Sequence, residues 1–171
     1  MKALLVIDML KDFIDENGAL TTGESGREIV AFIKKRIDEF RKQNYPIIFI
    51  CDNHETNDKE FEMFPPHCIK NTQGSKIIDE LEVKDTDKII TKRRYSAFYG
   101  TDLDLTLREN NVDELYLVGV CTNICVLYTA ADARNISYKV NIYKDGVASF
   151  DKEAHIFALK ELERTLGCKI I

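Results

Sequence analysis

The stretch LYLVGVCTNICVLYTAADARN, Leu115–Asn135, changes its periodicity at its middle. Leu115–Val120 is a continuous apolar run of strand length, and Asn123–Asn135 carries a helical pattern. A strand buried on both faces that passes directly into a helix is the unit of a parallel α/β sheet. The rest of the chain repeats it. Ala3–Ile7, Pro46–Cys51, Lys88–Ile90, Lys139–Tyr143 and the terminal CKII read as further strands, most of them continuously apolar.

Between the strands lie helical patterns. Ser25 and Glu28 have capping-box spacing ahead of IVAFIKKRIDEF, and Thr101 and Asp104 repeat that spacing in TDLDLTLREN. The last pattern, DKEAHIFALKELERTLG, starts at the potential cap Asp151 and stops at Gly167. The expectation is one α/β domain over residues 1–171 with a mostly parallel sheet.

Composition narrows the function classes. The chain has 171 residues, 44% hydrophobic and 31% charged, with a net charge of −5. Its densest basic stretch, Thr91–Arg94, is short, so a nucleic-acid surface is not expected. No apolar stretch approaches the roughly 18–20 residues of a membrane span, and no signal-peptide pattern opens the chain. A cytoplasmic location is the expectation. Five cysteines without a framework pattern favour free thiols over disulfides.

Asp52–Gly74 breaks the rhythm, having no clear period and two adjacent prolines. In open α/β sheets ligands bind beyond the carboxyl ends of the strands. Asp8, Asp52, the residues after Ile90, and Cys121–Cys125 all follow expected strands and should meet on one rim. In the loop, Asp52 and His54 point the same way in extended chain, and His67 and Asp58, Glu60 or Glu62 follow. Such a set suits zinc, iron or manganese, or it is ordinary loop polarity. His155 lies among apolar residues of the last helical pattern and reads as a packed or surface histidine.

Cys121 and Cys125 could be a metal clip, a redox pair, a disulfide or packing, or one could be a nucleophile. They lack the C-x-x-C spacing of a redox motif. A nucleophilic thiol needs a helix N-terminus, a cation or a base. Cys125 falls near a helix start with Thr122 and Asn123 as candidate caps, and Asp8 and Lys92 lie at other strand ends. Taken singly, the plainer reading is favoured for each: Asp8 a turn residue, Lys92 a solvated charge, Cys125 a small core residue.

Together, LLVIDMLKDF, DNHE…FPPHC, TKRRYSAFYGTDLD and GVCTNICVLYTAADA resemble the isochorismatase-like cysteine hydrolases, and within them the nicotinamidases (pyrazinamidases). The similarity runs in order from Ala3 to the C-terminus. It implies a three-layer αβα fold around a six-stranded, mainly parallel, Rossmann-like sheet. It implies a catalytic triad of Asp8, Lys92 and Cys125, and an oxyanion hole from the backbone N–H groups of Cys121 and Cys125, beside a cis Val120–Cys121 bond. It implies one divalent metal, zinc first with iron or manganese as alternatives, on Asp52, His54, His67 and Glu60, with Glu62 in reserve. Phe13 and Phe64, with Tyr95, match positions around a pyridine ring. Asn123 replaces an Asp found in many members, and Phe64 a Trp found in some.

The implied reaction is hydrolysis of nicotinamide to nicotinate and ammonia through a cysteine thioester, in NAD salvage, with pyrazinamide as a further substrate. The alternatives are a related amidase acting on another small amide or carbamoyl compound, and a non-catalytic binding protein on the same fold. The expected partners are the small-molecule substrate and further copies of the chain in a homo-oligomer, without nucleic acid or membrane.

Overall fold

The computed structural model describes residues 1–171. Six strands form one sheet: β1 Lys2–Ile7, β2 Ile47–Asp52, β3 Lys88–Lys92, β4 Glu114–Val120, β5 Lys139–Ala148 and β6 Lys169–Ile170. Their order is β3-β2-β1-β4-β5-β6, and every pairing is parallel. The helices are α1 Lys11–Ile14, α2 Glu24–Glu28, α3 Val30–Lys42, α4 Leu103–Glu109, α5 Leu127–Asn135 and α6 Lys152–Arg164. None is long and apolar enough to cross a membrane.

The continuous apolar runs are explained by burial on both faces. In β1, Ala3, Leu5 and Ile7 face a core shared with Leu103 and Leu107 of α4, Ala130 and Ala133 of α5, and Leu162 of α6. Leu4 and Val6 alternate to the opposite core, which holds Val30, Ile33, Ile37 and Phe40 of α3. These α3 residues recur every three or four positions, so one stripe of the helix is buried. Each fully buried Leu or Ile contributes about 1.5–3 kcal/mol relative to exposure. The three layers are therefore α1–α3, the sheet, and α4–α6.

Several local expectations are revised. The Ser25–Glu28 capping box does not form: Gly23 precedes α2, and the Ser25 hydroxyl donates to the carbonyls of Thr22 and Ser149. Nor does Thr101 cap α4 as a box, although its hydroxyl accepts from the Leu103 N–H. Thr122 and Asn123 make no capping bond either, because a π-helical turn over Thr122–Val126 precedes α5. Asp151 does cap α6, accepting from the Ala154 N–H, and Gly167 takes a left-handed φ of +64° beyond its end. β3 runs on to Lys92, and β5 to Ala148.

Gly119 brings the strand ends together. Its φ is +116°, and a Cβ there would lie 1.9 Å from the Ile7 carbonyl oxygen, so no other residue fits without moving β4 from β1. The next peptide but one, Val120–Cys121, is cis, where the family resemblance implies it.

Candidate active site

Parallel register delivers the reactive side chains to one edge. Asp52 pairs with Lys92 across β2 and β3, and Ile7 with Gly119 across β1 and β4, so Asp8 and Cys121 emerge side by side. Asp8 turns left-handed at φ 52°, and its Oδ1 accepts from the Asp52 N–H at 2.9 Å. After Cys121 the chain winds tightly, and the Ile124 and Val126 N–H groups both donate to the Cys121 carbonyl. This turn carries Cys125 back over the end of β1.

Lys92 is the hub of the buried group. Its ammonium lies 2.5 Å from Asp52 Oδ1, 2.8 Å from Asp8 Oδ2 and 3.4 Å from Cys125 Sγ. The approach to Asp8 Oδ2 is an ionic contact outside hydrogen-bond direction, which leaves that oxygen without a hydrogen-bond donor. Asp8, Asp52 and Cys125 bring their reactive atoms within 4.8 Å of one another. All four side chains are buried, and burial disfavours charge on each. Burial and the Asp52 charge push Asp8 up to about 6, against the pull of Lys92. Burial also works to raise Asp52, but Lys92 and His54 hold it below the usual carboxylate value. Lys92 resists the same burial through Asp52 and Asp8 and stays well above its ordinary value. The Cys125 thiol is pushed well above its ordinary value by burial, opposed by the Lys92 ammonium. At neutral pH the group therefore holds a thiol beside a largely ionised Asp8.

Asp52 also faces a second cluster. Its Oδ2 lies 3.6 Å from His54 Nε2 and 3.9 Å from His67 Nε2, and Glu60 Oε1 is 3.9 Å from both nitrogens. One ligand atom from each of Asp52, His54, Glu60 and His67 lies within 4.8 Å of the others, and all four residues are buried. The outer nitrogens are already engaged: His54 Nδ1 is 3.0 Å from Asp58 Oδ2, and His67 Nδ1 is 2.8 Å from the Pro65 carbonyl. A carboxylate and a carbonyl only accept, so each ring donates from Nδ1 and turns its Nε2 inward. His54 Nε2 is buried with no hydrogen-bond partner. Burial lowers the His54 pKa, yet Asp52, Asp58 and Glu60 together push it up to about 9, so the site favours a cation. Two imidazoles and two carboxylates with an orphaned inward nitrogen fit a divalent metal. Glu62 is exposed and outside the cluster, and Asp58 stands behind His54 instead of lining the centre.

A small cavity connects the two groups. Cys125 and Cys121 line one part, Asp52, Glu60 and His67 another, and Phe13, Phe64 and Tyr95 stand around it. The Phe13 ring lies 5.3 Å from that of His67, and Phe64 lies 6.4 Å away. A larger groove of about 610 Å³ opens at the amino ends of β2 and β3 among Arg41, Lys84 and Glu109. It holds no cysteine and no histidine.

The isochorismatase domain family matches residues 2–171. The chain belongs to the isochorismatase family. Among solved structures, the Bacillus subtilis nicotinamidase/pyrazinamidase PncA is 40% identical, with 99% of this chain and 98% of that one covered and a TM-score of 0.93. The Pyrococcus horikoshii pyrazinamidase in complex with zinc is 33% identical, covering 99% and 98%, at a TM-score of 0.93. The Thermoplasma acidophilum N-carbamoylsarcosine amidase is 34% identical, covering 99% and 94%, at 0.91. The six-stranded parallel sheet is the fold of this family.

The sequence left several residues around the cavity unassigned. Leu20, Ile124 and Phe150 complete its wall, and nothing in their local pattern separates them from other apolar positions. Asn123, at the family position often held by Asp, accepts a hydrogen bond from Ser149 at 2.6 Å, tying the Cys125 turn to the loop that bears Phe150. His155, expected to be a packed or surface residue, is half-buried and 2.8 Å from the Thr122 hydroxyl. Cys121 is buried without a cation beside it, and burial pushes its thiol up to about 12.

Proposed function

We propose that this chain is a metal-dependent cysteine amidohydrolase that converts nicotinamide to nicotinate and ammonia in NAD salvage. One observation carries the reading: a single small aromatic-walled cavity has a buried thiol with its Asp–Lys pair at one part and a cation-seeking His–Asp–Glu–His cluster at another. The likeness to nicotinamidases, and to a pyrazinamidase described with zinc, supports it.

Asp52, His54, Glu60 and His67 would hold the metal. A divalent ion held there would offer the ring nitrogen of the substrate a partner and orient its amide towards the thiol, a positioning role more than a Lewis-acid one. Phe13, Phe64 and Tyr95 enclose the ring. Asp8, ionised above about pH 6, takes the proton of Cys125 as its sulfur attacks the carboxamide carbon. Lys92 holds the Asp8 carboxylate before the transfer and the thiolate sulfur as it forms, by charge. The backbone N–H groups of Cys121 and Cys125 receive the oxyanion. Asp8 returns the proton to the departing ammonia, leaving a nicotinoyl thioester. Water attacks that thioester, with Asp8 again taking a proton, and nicotinate leaves as Cys125 recovers its own.

The substrate assignment is tested by comparing ammonia release from nicotinamide, benzamide and N-carbamoylsarcosine. Benzamide lacks the ring nitrogen, and kcat/KM for it is expected to fall by about 10²-fold or more, since a site built for a polar atom rejects the analogue lacking it. Equal rates for nicotinamide and benzamide would remove the role given to the metal. Preference for N-carbamoylsarcosine would favour the carbamoyl-amidase reading.

A further inference from the structure

The candidate metal cluster has a second layer that converges on one side chain. The Asp58 side chain is 5% exposed, and its two carboxylate oxygens serve different ligands. Oδ2 lies 3.0 Å from His54 Nδ1, fixing the tautomer that leaves Nε2 free. Oδ1 accepts from the Glu60 N–H at 3.0 Å, capping the 3₁₀ turn Lys59–Glu62 that presents the Glu60 carboxylate. Arg94 Nη1 reaches both oxygens, at 3.1 and 3.2 Å, from the segment that also carries Tyr95 into the cavity wall. Asp58 itself is anchored by its N–H, which donates to the Glu55 carbonyl at 3.1 Å.

We infer that Asp58 is the positioning residue of the metal centre, one carboxylate orienting both His54 and Glu60, with Arg94 clamping it from outside. The inference rests on the metal reading proposed above. A carboxylate behind a ligating imidazole fixes the ring and raises its basicity, and loss of such a partner typically lowers metal affinity about 10–100-fold. Here the same carboxylate also sets the backbone of a second ligand, because cap and histidine partner are the two oxygens of one group. Arg94 makes no contact with the four ligands and fixes the carboxylate plane, so its effect is expected to be smaller.

Two variants separate positioning from simple loop stability. Asp58→Asn keeps the volume but has one acceptor oxygen, which cannot serve both partners. Asp58→Ser retains a good cap for the Glu60 N–H and loses the carboxylate behind His54. Zinc affinity is read by competition with a chromophoric chelator, and the thermal melting of the metal-free proteins is read in parallel. The expected result is one zinc bound by wild type, affinity about 10–100-fold weaker in both variants, and metal-free Asp58→Ser melting close to wild type. Should Asp58→Asn fail to fold, Asp58→Ser decides. Wild-type affinity in the variants would overturn the inference while leaving the metal reading intact. A melting loss in metal-free Asp58→Ser with unchanged zinc affinity would do the same, marking Asp58 as a loop brace. A wild-type protein that binds no zinc, iron or manganese would overturn both.

Discussion

Cys125→Ala is expected to lower ammonia release from nicotinamide by about 10⁴-fold or more, the scale seen when a covalent nucleophile is removed. Cys121→Ala is expected to stay within about tenfold of wild type, or roughly 1.4 kcal/mol in the barrier. The asymmetry follows from what surrounds each sulfur. Cys125 has the Lys92 ammonium 3.4 Å away and Asp8 beside it, so it has both a stabilising cation and a base. Cys121 is buried with no cation beside it, and it would serve through its backbone. Alanine preserves that backbone N–H. Initial rates of ammonia release from both variants, with circular dichroism confirming folding, make the comparison. Losses of equal size would move the nucleophile off Cys125 or make the two thiols partners.

Lys92→Met is expected to lose activity and also about 3–5 kcal/mol of stability at pH 8, the usual cost of stripping one partner from a buried ion pair. Methionine matches much of the stem, so the loss comes from charge. Without the ammonium, the buried carboxylates of Asp8 and Asp52 face each other with no cation between them. Asp8 is already pushed up to about 6 by burial and Asp52, and removing Lys92 drives both carboxylates upward. A carboxyl whose folded pKa exceeds its unfolded value near 3.8 contributes stability below that value and loses it as pH rises through the folded value. The deficit of Lys92→Met should therefore shrink as pH falls from 8 towards 5. Urea unfolding of both proteins across that range reads it. A deficit independent of pH, or under about 1 kcal/mol, would mean that Lys92 does not hold these charges together.

The sheet and the rim were legible because the central strands are buried on both faces. In β1, Ala3 to Ile7 are all buried, which leaves no alternation to misread. Once the strands are placed in parallel, their carboxyl ends have to hold Asp8, Asp52, Lys92 and the Cys121 turn. Local capping rules served less well where tertiary partners competed. Ser25 has the right spacing for a box, yet the Ser149 carbonyl takes its hydroxyl across 124 residues of chain. By spacing alone Asp58, Glu60 and Glu62 were equivalent carboxylates, and only the family resemblance favoured Glu60, with Glu62 in reserve. Their distinction depends on how a 3₁₀ turn rotates them: Glu60 inward, Asp58 behind His54, and Glu62 outward to solvent. Phe150 was invisible for another reason, since an apolar residue after a strand carries no sign of which cavity it will wall.

The central claim is that one cavity joins a cysteine nucleophile to a metal that orients nicotinamide. Its most direct test is ammonia release from nicotinamide by the metal-loaded protein, by the same protein after chelation, and after metal is restored. The predicted result is turnover when loaded, a fall of about 10²-fold or more on chelation, as expected when a substrate loses its fixed position, and recovery with zinc, iron or manganese. Full turnover by thoroughly metal-free protein, or no ammonia from nicotinamide under any metal loading, would contradict it.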